Sequence, residues 1–269
     1  MSRLEAQMLL SHVLGKPRVW LIAHDDQALT DEELAAFQGL CQRRMAGEPI
    51  AYLVGEREFM GLAFHVTPAV LIPRPETELL VETALKAIAG HTAPRVLDLG
   101  TGSGAIAVAL AHARPDAQVW ATDISTEALE IARRNAARHC VEVGFLSGTW
   151  FKPLPDAVLD DDPESSCRFD VIVSNPPYIP MGDAHLTEGD LRFEPESALT
   201  DNADGLSAYR VLTGEALKFL VPGGCLCVEH GFDQGPAVFE LFEAAGFVDI
   251  KTIRDLAGHP RVTAGFYNR

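Results

Sequence analysis

The chain has 269 residues, 47% hydrophobic and 22% charged, proportions of a folded globular protein that exclude a disordered or fibrous one. Its 22 lysines and arginines against 38 aspartates and glutamates give a net charge of −16, a field that repels polyphosphate and opposes any grip on long nucleic acid. Five cysteines, at positions 41, 140, 167, 225 and 227, form no CxxC pair, which excludes a zinc cluster or a secreted disulfide scaffold and fits free thiols in a reducing cytoplasm.

The first ten residues, MSRLEAQMLL, lack the basic-then-apolar order of a signal peptide, and no apolar run approaches the roughly 18 residues of a membrane span. Residues 1–48 read as helices. Leu4, Met8, Leu9 and Val13 share one stripe. Thr30-Asp31-Glu32-Glu33 is a capping box opening a helix with Leu34, Phe37, Cys41 and Met45 on one side, and Gly47 is its stop. Residues 49–75 read as a linker holding a β-hairpin, because Phe59, Phe64 and Val66 flank Met60-Gly61; Pro73 and Pro75 then fix the chain before a helix from Glu76.

From Arg95 the pattern alternates, and residues 76–269 read as one α/β domain. Strands are expected at 95–99, 119–122, 141–146, 169–174 and 225–229, with helices at 105–113, 125–139, 206–220 and 237–245 between and after them. That alternation predicts a mostly parallel, doubly wound sheet covered on both faces. Residues 247–253 and 261–267 are two strands with no helix between them, so one must run antiparallel at the end of the sheet. The acidic stretch 152–168 reads as a solvated loop.

Asp98-Leu99-Gly100-Thr101-Gly102-Ser103-Gly104 sits between a strand and a helix, where glycines permit a tight turn and close approach of a ligand. Asp123 lies 19 residues beyond Gly104 at the end of the next strand, where a carboxylate can accept hydrogen bonds from ribose hydroxyls. The pair points to a ribose-bearing ligand, either NAD or S-adenosylmethionine. A turn of GxGxG form, rather than GxGxxG, favours the methyl donor. Asp98 has a second reading, as a brace for nearby main-chain amides.

Asn175-Pro176-Pro177-Tyr178 follows the strand ending at Ser174, at the sheet edge where open α/β folds bind ligands. Two prolines delete two N–H donors, so the loop offers carbonyl acceptors together with the Asn175 side chain and the flat Tyr178 ring. Such a corner suits a planar group bearing an NH2. Nine histidines show no HxxxH or HExxH spacing, so no metal is expected, and His230 reads as a packed, hydrogen-bonded side chain.

Asn175-Pro176-Pro177-Tyr178 resembles the NPPY motif of methyltransferases that act on amide or exocyclic nitrogens. Gly47–Leu53, Glu58-Phe59, Leu71–Glu78, Arg192–Pro195 and Arg261–Thr263 extend the likeness over essentially the whole chain, to the peptide-chain release factor glutamine N5-methyltransferases (the HemK/PrmC family). The resemblance implies the class I S-adenosylmethionine-dependent methyltransferase fold, with an antiparallel last strand and a small N-terminal helical domain that docks the substrate. It implies transfer of a methyl group from S-adenosyl-L-methionine, leaving S-adenosyl-L-homocysteine, to the glutamine of the GGQ motif in class I release factors. No nucleic acid, membrane or metal is implied as a direct partner.

By the same resemblance the donor contacts fall on Gly100, Thr101, Gly102, Ser103, Gly104, Asp123, Trp150 and Asn175, with Trp150 against the adenine. Substrate contacts fall on Asn175, Pro176, Pro177 and Tyr178, of which Asn175, Pro176 and Tyr178 carry the catalytic roles. Thr149 departs from the family, which often has an acidic residue there, and the helical region is short by about one helix. Arg74, Glu76 and Glu194 either orient the acceptor or pair with one another. Rival acceptors are a ribosomal-protein glutamine and the N6 of adenine in nucleic acid; the charge and the missing basic insert disfavour the latter.

Overall fold

The computed structural model describes residues 1–154, 168–187 and 189–268. Most of the acidic stretch expected to be a loop, residues 155–167, lies outside the described residues.

The chain opens with helices α1 (Arg3–Leu14), α2 (Arg18–Ala23) and α3 (Asp31–Met45). Thr30 and Glu33 form the expected capping box, and Ser2 with Glu5 forms another at the start of α1. The core of this unit is thin: Leu9 is the one fully buried residue of the three helices. The expected stripe on α3 is rotated, with Leu34 and Met45 exposed and Phe37, Leu40 and Cys41 half-buried as the helix packs on α1. Polar ties do much of the attachment. Arg44 bridges Glu5 at 2.9 Å and Asp190 at 3.1 Å, and Arg192 donates to the Ala46 carbonyl at 2.6 Å.

A short helix, α4 (Ile50–Val54), stands at the start of the stretch read as a linker holding a β-hairpin. Pro49 starts it, Gly55 stops it in the left-handed region, and Tyr52 and Leu53 are buried. Five residues are too few for a helical period to declare itself in sequence. The hairpin follows as β1 (Glu56–Phe59) and β2 (Leu62–His65), and Met60 and Gly61 have φ of +52° and +76°, as a tight two-residue turn requires. Asn135 seats the hairpin: its amide accepts from the His65 N–H at 2.7 Å and donates to the His65 carbonyl at 3.0 Å and the Ser103 carbonyl at 2.8 Å. One buried side chain thus joins the hairpin to the glycine-rich turn.

The sheet holds β3 (Arg95–Leu99), β4 (Gln118–Asp123), β5 (Gly144–Ser147), β6 (Phe169–Ser174), β7 (Leu220–Glu229), β8 (Phe247–Arg254) and β9 (Pro260–Tyr267). Their spatial order is β5-β4-β3-β6-β7-β9-β8. Among the described strands β9 alone runs opposite to the other six, and it lies between β7 and β8 rather than at the edge. Alternate strand residues serve two cores. Val96, Val171, Val173, Cys225 and Cys227 face α5 (Glu78–Ala87), α6 (Ala105–Ala113) and α7 (Thr126–Arg138). Leu97, Ile172, Leu226 and Val228 face α8 (Ser207–Phe219) and α9 (Gly235–Ala245). Residues 105–111 of α6 are all buried, which accounts for an all-apolar sequence, AIAVALA, without amphipathic rhythm.

β5 starts later than expected, since Val141 and Val143 pack on the core before the ladder begins at Gly144. A Cβ on Gly144 would lie 2.2 Å from the Trp120 ring, so that close crossing needs glycine. β7 starts earlier, at Leu220, through an irregular pairing opposite Phe169 and Val171. Among the described residues no helix is long and apolar enough to cross a membrane.

Candidate active site

At the carboxyl ends of β3, β4 and β6 lies a cavity of about 350 Å³. Its floor is the turn between β3 and α6. The Gly100 and Thr101 N–H groups donate to the Thr122 carbonyl at 2.9 and 3.0 Å, and the Gly102 N–H donates to Asp123 Oδ2 at 2.8 Å. Gly102 has a φ of +55° and open space where a side chain would stand, which keeps main chain within reach of a ligand. Gly104 has a different task. At φ +82° it would place a Cβ 2.9 Å from the Ala132 Cβ, so its missing side chain lets α6 approach α7, behind the cavity wall.

Asp123 lines the cavity and is held by two main-chain donors, Gly102 and Ser125, the latter at 2.9 Å. Burial pushes its carboxyl up, against those hydrogen bonds. Each oxygen keeps a further lone pair, the acceptor capacity that a ribose diol needs. Asp98 sits beneath the turn, fully buried, accepting from the Thr101 hydroxyl at 2.6 Å. Its Oδ1 has no partner, and burial drives the carboxyl up to about 7. This is a brace with one spare acceptor. Trp150, at φ +51°, leans its ring over Gly100 and forms the wall beside Thr149.

On the opposite side Asn175 and Pro177 line the same cavity. The Asn175 Nδ2 donates to Thr77 Oγ1 at 3.2 Å, which leaves Oδ1 free as an acceptor. Pro176 is buried behind the wall. Tyr178 opens instead onto an adjoining cleft that it shares with Arg74, Glu76, Glu229 and Arg261. Burial raises its hydroxyl to about 12, so the phenol stays neutral. Of the residues singled out in sequence, Gly100, Thr101, Gly102, Ser103, Asp123, Trp150, Asn175 and Pro177 thus come together in one cavity, while Gly104, Pro176 and Tyr178 stand around it.

Two further walls come from the stretches that carried the resemblance, Leu71–Glu78 and Arg192–Pro195, and from the residues beside them. The strap 69–77 brings Val70, Arg74 and Thr77, and the segment 195–202 faces it with Ser197, Thr200 and Asp201. Arg74 pairs with the buried Glu194, which also accepts from the Ile72 N–H at 3.1 Å. Burial raises the Glu194 carboxyl, against the Arg74 charge. The pair clamps strap to facing wall, and Glu76 stands apart from it, exposed. His230 is packed, with Nδ1 at 2.8 Å from the Gly231 carbonyl and Nε2 at 3.0 Å from Thr263 Oγ1.

This arrangement sets main-chain amides and a carboxylate at one end of a cavity and an outward-facing amide oxygen at the other. Residues 1–55 match the family described as the PrmC N-terminal domain, and residues 91–244 match that described as a methyltransferase domain. A release factor glutamine methyltransferase of Bordetella pertussis is 52% identical over 266 residues, covering 99% of this chain and 95% of that one. Another of that name, from Burkholderia pseudomallei, is 53% identical over 271 residues, covering 98% and 92%. A methyltransferase of Pyrococcus furiosus superposes with a TM-score of 0.57 at 22% identity, over 86% of this chain and 99% of that one, which is a likeness of fold. With half its residues shared across nearly its full length, this chain belongs to the release factor glutamine methyltransferase family.

Proposed function

We propose that the chain transfers a methyl group from S-adenosyl-L-methionine to the side-chain amide nitrogen of the glutamine in the GGQ motif of class I release factors, in the cytoplasm. In this reading residues 1–48 dock the release factor, 49–75 connect, and 76–269 carry the chemistry. The observation that carries it is the meeting, in one cavity, of the glycine turn and Asp123 with the free Oδ1 of Asn175.

When bound, the donor supplies a methyl carbon on a sulfonium sulfur, which keeps the bonding pair and leaves as S-adenosyl-L-homocysteine. The turn at Gly100–Ser103 would approach it with main chain, Asp123 would accept from its ribose, and Trp150 would cover its base. Asn175 Oδ1 and the carbonyls beside the proline pair accept from the two N–H bonds of the acceptor amide. Those hydrogen bonds hold the nitrogen toward the methyl carbon and loosen its conjugation with the carbonyl. Positioning and electrostatics supply the catalysis. No dedicated base is needed, because the departing proton becomes acidic only as the N–C bond forms and then passes to water.

Mass spectrometry of a release factor incubated with the enzyme and donor tests the proposal. A gain of one methyl on the GGQ glutamine supports it. A gain confined to a ribosomal protein or to DNA overturns it.

A further inference from the structure

Asn175-Pro176-Pro177-Tyr178 must hold its shape with little help from its own main chain, because two of its four residues have no N–H to donate. It is held by its ends instead. At the near end Ser174 belongs to the parallel ladder, and its hydroxyl donates to the Leu99 carbonyl at 2.7 Å. At the far end one peptide group, between Tyr178 and Ile179, is bound on both sides. Its N–H donates to the Leu199 carbonyl at 2.9 Å, and its C=O accepts from Gln234 Nε2 at 3.0 Å.

Gln234 is oriented for this contact. It stands immediately before α9, half-buried, and lines neither the cavity nor the cleft at Tyr178. Its main-chain N–H donates to the Gly231 carbonyl at 3.0 Å, and its Oε1 accepts from the Gly231 N–H at 2.9 Å. An N–H can only donate, so Gly231 fixes which end of the carboxamide faces it. The NH2 is left facing the loop, with both hydrogens spent on carbonyls: Tyr178 at 3.0 Å and Gly205 at 3.2 Å. Gly205 makes room for that approach. At φ +77° a Cβ there would lie 2.5 Å from the Tyr178 oxygen and 2.9 Å from Gln234 Nε2.

We propose that Gln234 is a positioning residue for the acceptor loop. By pinning the Tyr178–Ile179 peptide it fixes the direction in which Asn175 and the carbonyls beside the prolines face the acceptor amide. A peptide bound on both sides cannot rotate, whereas one bound only through its N–H can swing about that bond. Pro176 and Pro177 have fixed φ, so such a swing is passed toward Asn175 rather than absorbed between. The inference rests on the amide-methylation reading above and adds to it a residue outside both cavities.

The test compares wild type with Q234M and Q234E as full chains. It measures methyl transfer to release factor, the dissociation constant of S-adenosylhomocysteine, and the folded fraction by circular dichroism, to which the rates are referred. Q234M removes both donors at nearly constant volume. Q234E keeps an oxygen for the Gly231 N–H and turns its other oxygen on the two carbonyls. Each is expected to lower kcat at saturating donor and release factor roughly 10- to 100-fold, with donor affinity held within about twofold. A residue needed only for the turn before α9 would be rescued by Q234E, which retains the Gly231 contact. Wild-type turnover in either variant, or a loss of donor affinity as large as the loss of turnover, would overturn the inference. A wild-type enzyme that methylates no glutamine would instead overturn the functional reading itself.

Discussion

Asn175 is an amide with a donor end and an acceptor end, and the site uses each for a different purpose. Thr77 takes the donor end, so the acceptor end is presented to the cavity. N175D replaces the donor with a carboxylate oxygen and sets it against Thr77. Turnover is expected to fall roughly 100-fold or more, while donor affinity, measured by calorimetric titration, stays within several-fold. D123A removes a charged acceptor from the other end of the cavity and also releases the Gly102 and Ser125 amides. It should weaken S-adenosylhomocysteine binding by about 1.5–3 kcal/mol, and an unchanged dissociation constant would remove Asp123 from the donor site. Both residues were legible in sequence because each sits at a strand end within a short motif. Thr77 lies within the Leu71–Glu78 stretch that carried the resemblance, but its contact with Asn175 was not legible, because the two are 98 residues apart.

Elements repeat this division between local and distant causes. Helix α7 ran as expected because Ser125 caps it and its apolar stripe is regular; the hairpin did because Met60-Gly61 suits its turn. Helix α4 and the start of β7 escaped prediction, one being too short to show a period and the other an irregular pairing across the sheet. The glycine turn mixes both cases. Gly102 serves the cavity and Gly104 the contact between α6 and α7, although the sequence presents them alike. G104A should therefore destabilise the fold by about 2–4 kcal/mol in urea unfolding, from the left-handed backbone and the contact with Ala132. Adding A132G should recover the contact share and leave the backbone share. At the other end of the chain, T30A removes the cap of α3 and should cost about 1 kcal/mol of that helix's stability, read by amide exchange in α3.

Across the whole molecule two buried carboxyls, Asp98 and Glu229, are raised to about 7, each chiefly by burial. The unfolded chain titrates such groups near pH 4. Between those values unfolding releases protons, so stability that is complete below about pH 4 declines as pH rises toward 7. Urea unfolding should show this decline, and D98N should flatten it. Glu5 and Asp204, both lowered to about 2 by hydrogen bonds and arginines, act in the opposite sense and at lower pH, so they leave this window clear.

The alternation of strands and helices, the glycine turn with Asp123, and the Asn-Pro-Pro-Tyr corner were determined by the sequence alone. Each rests on periodicity or turn chemistry among near neighbours, which any isolated stretch of chain already expresses. Tertiary structure decided the rest: β9 inserted between β7 and β8, the strap and facing wall joined by Arg74 and Glu194, and the parting of Tyr178 from Asn175 into adjoining clefts. It also brought Gln234 to the Tyr178 carbonyl. These depend on which surfaces exclude water together and which buried polar groups must find partners, conditions that exist only once distant segments have packed.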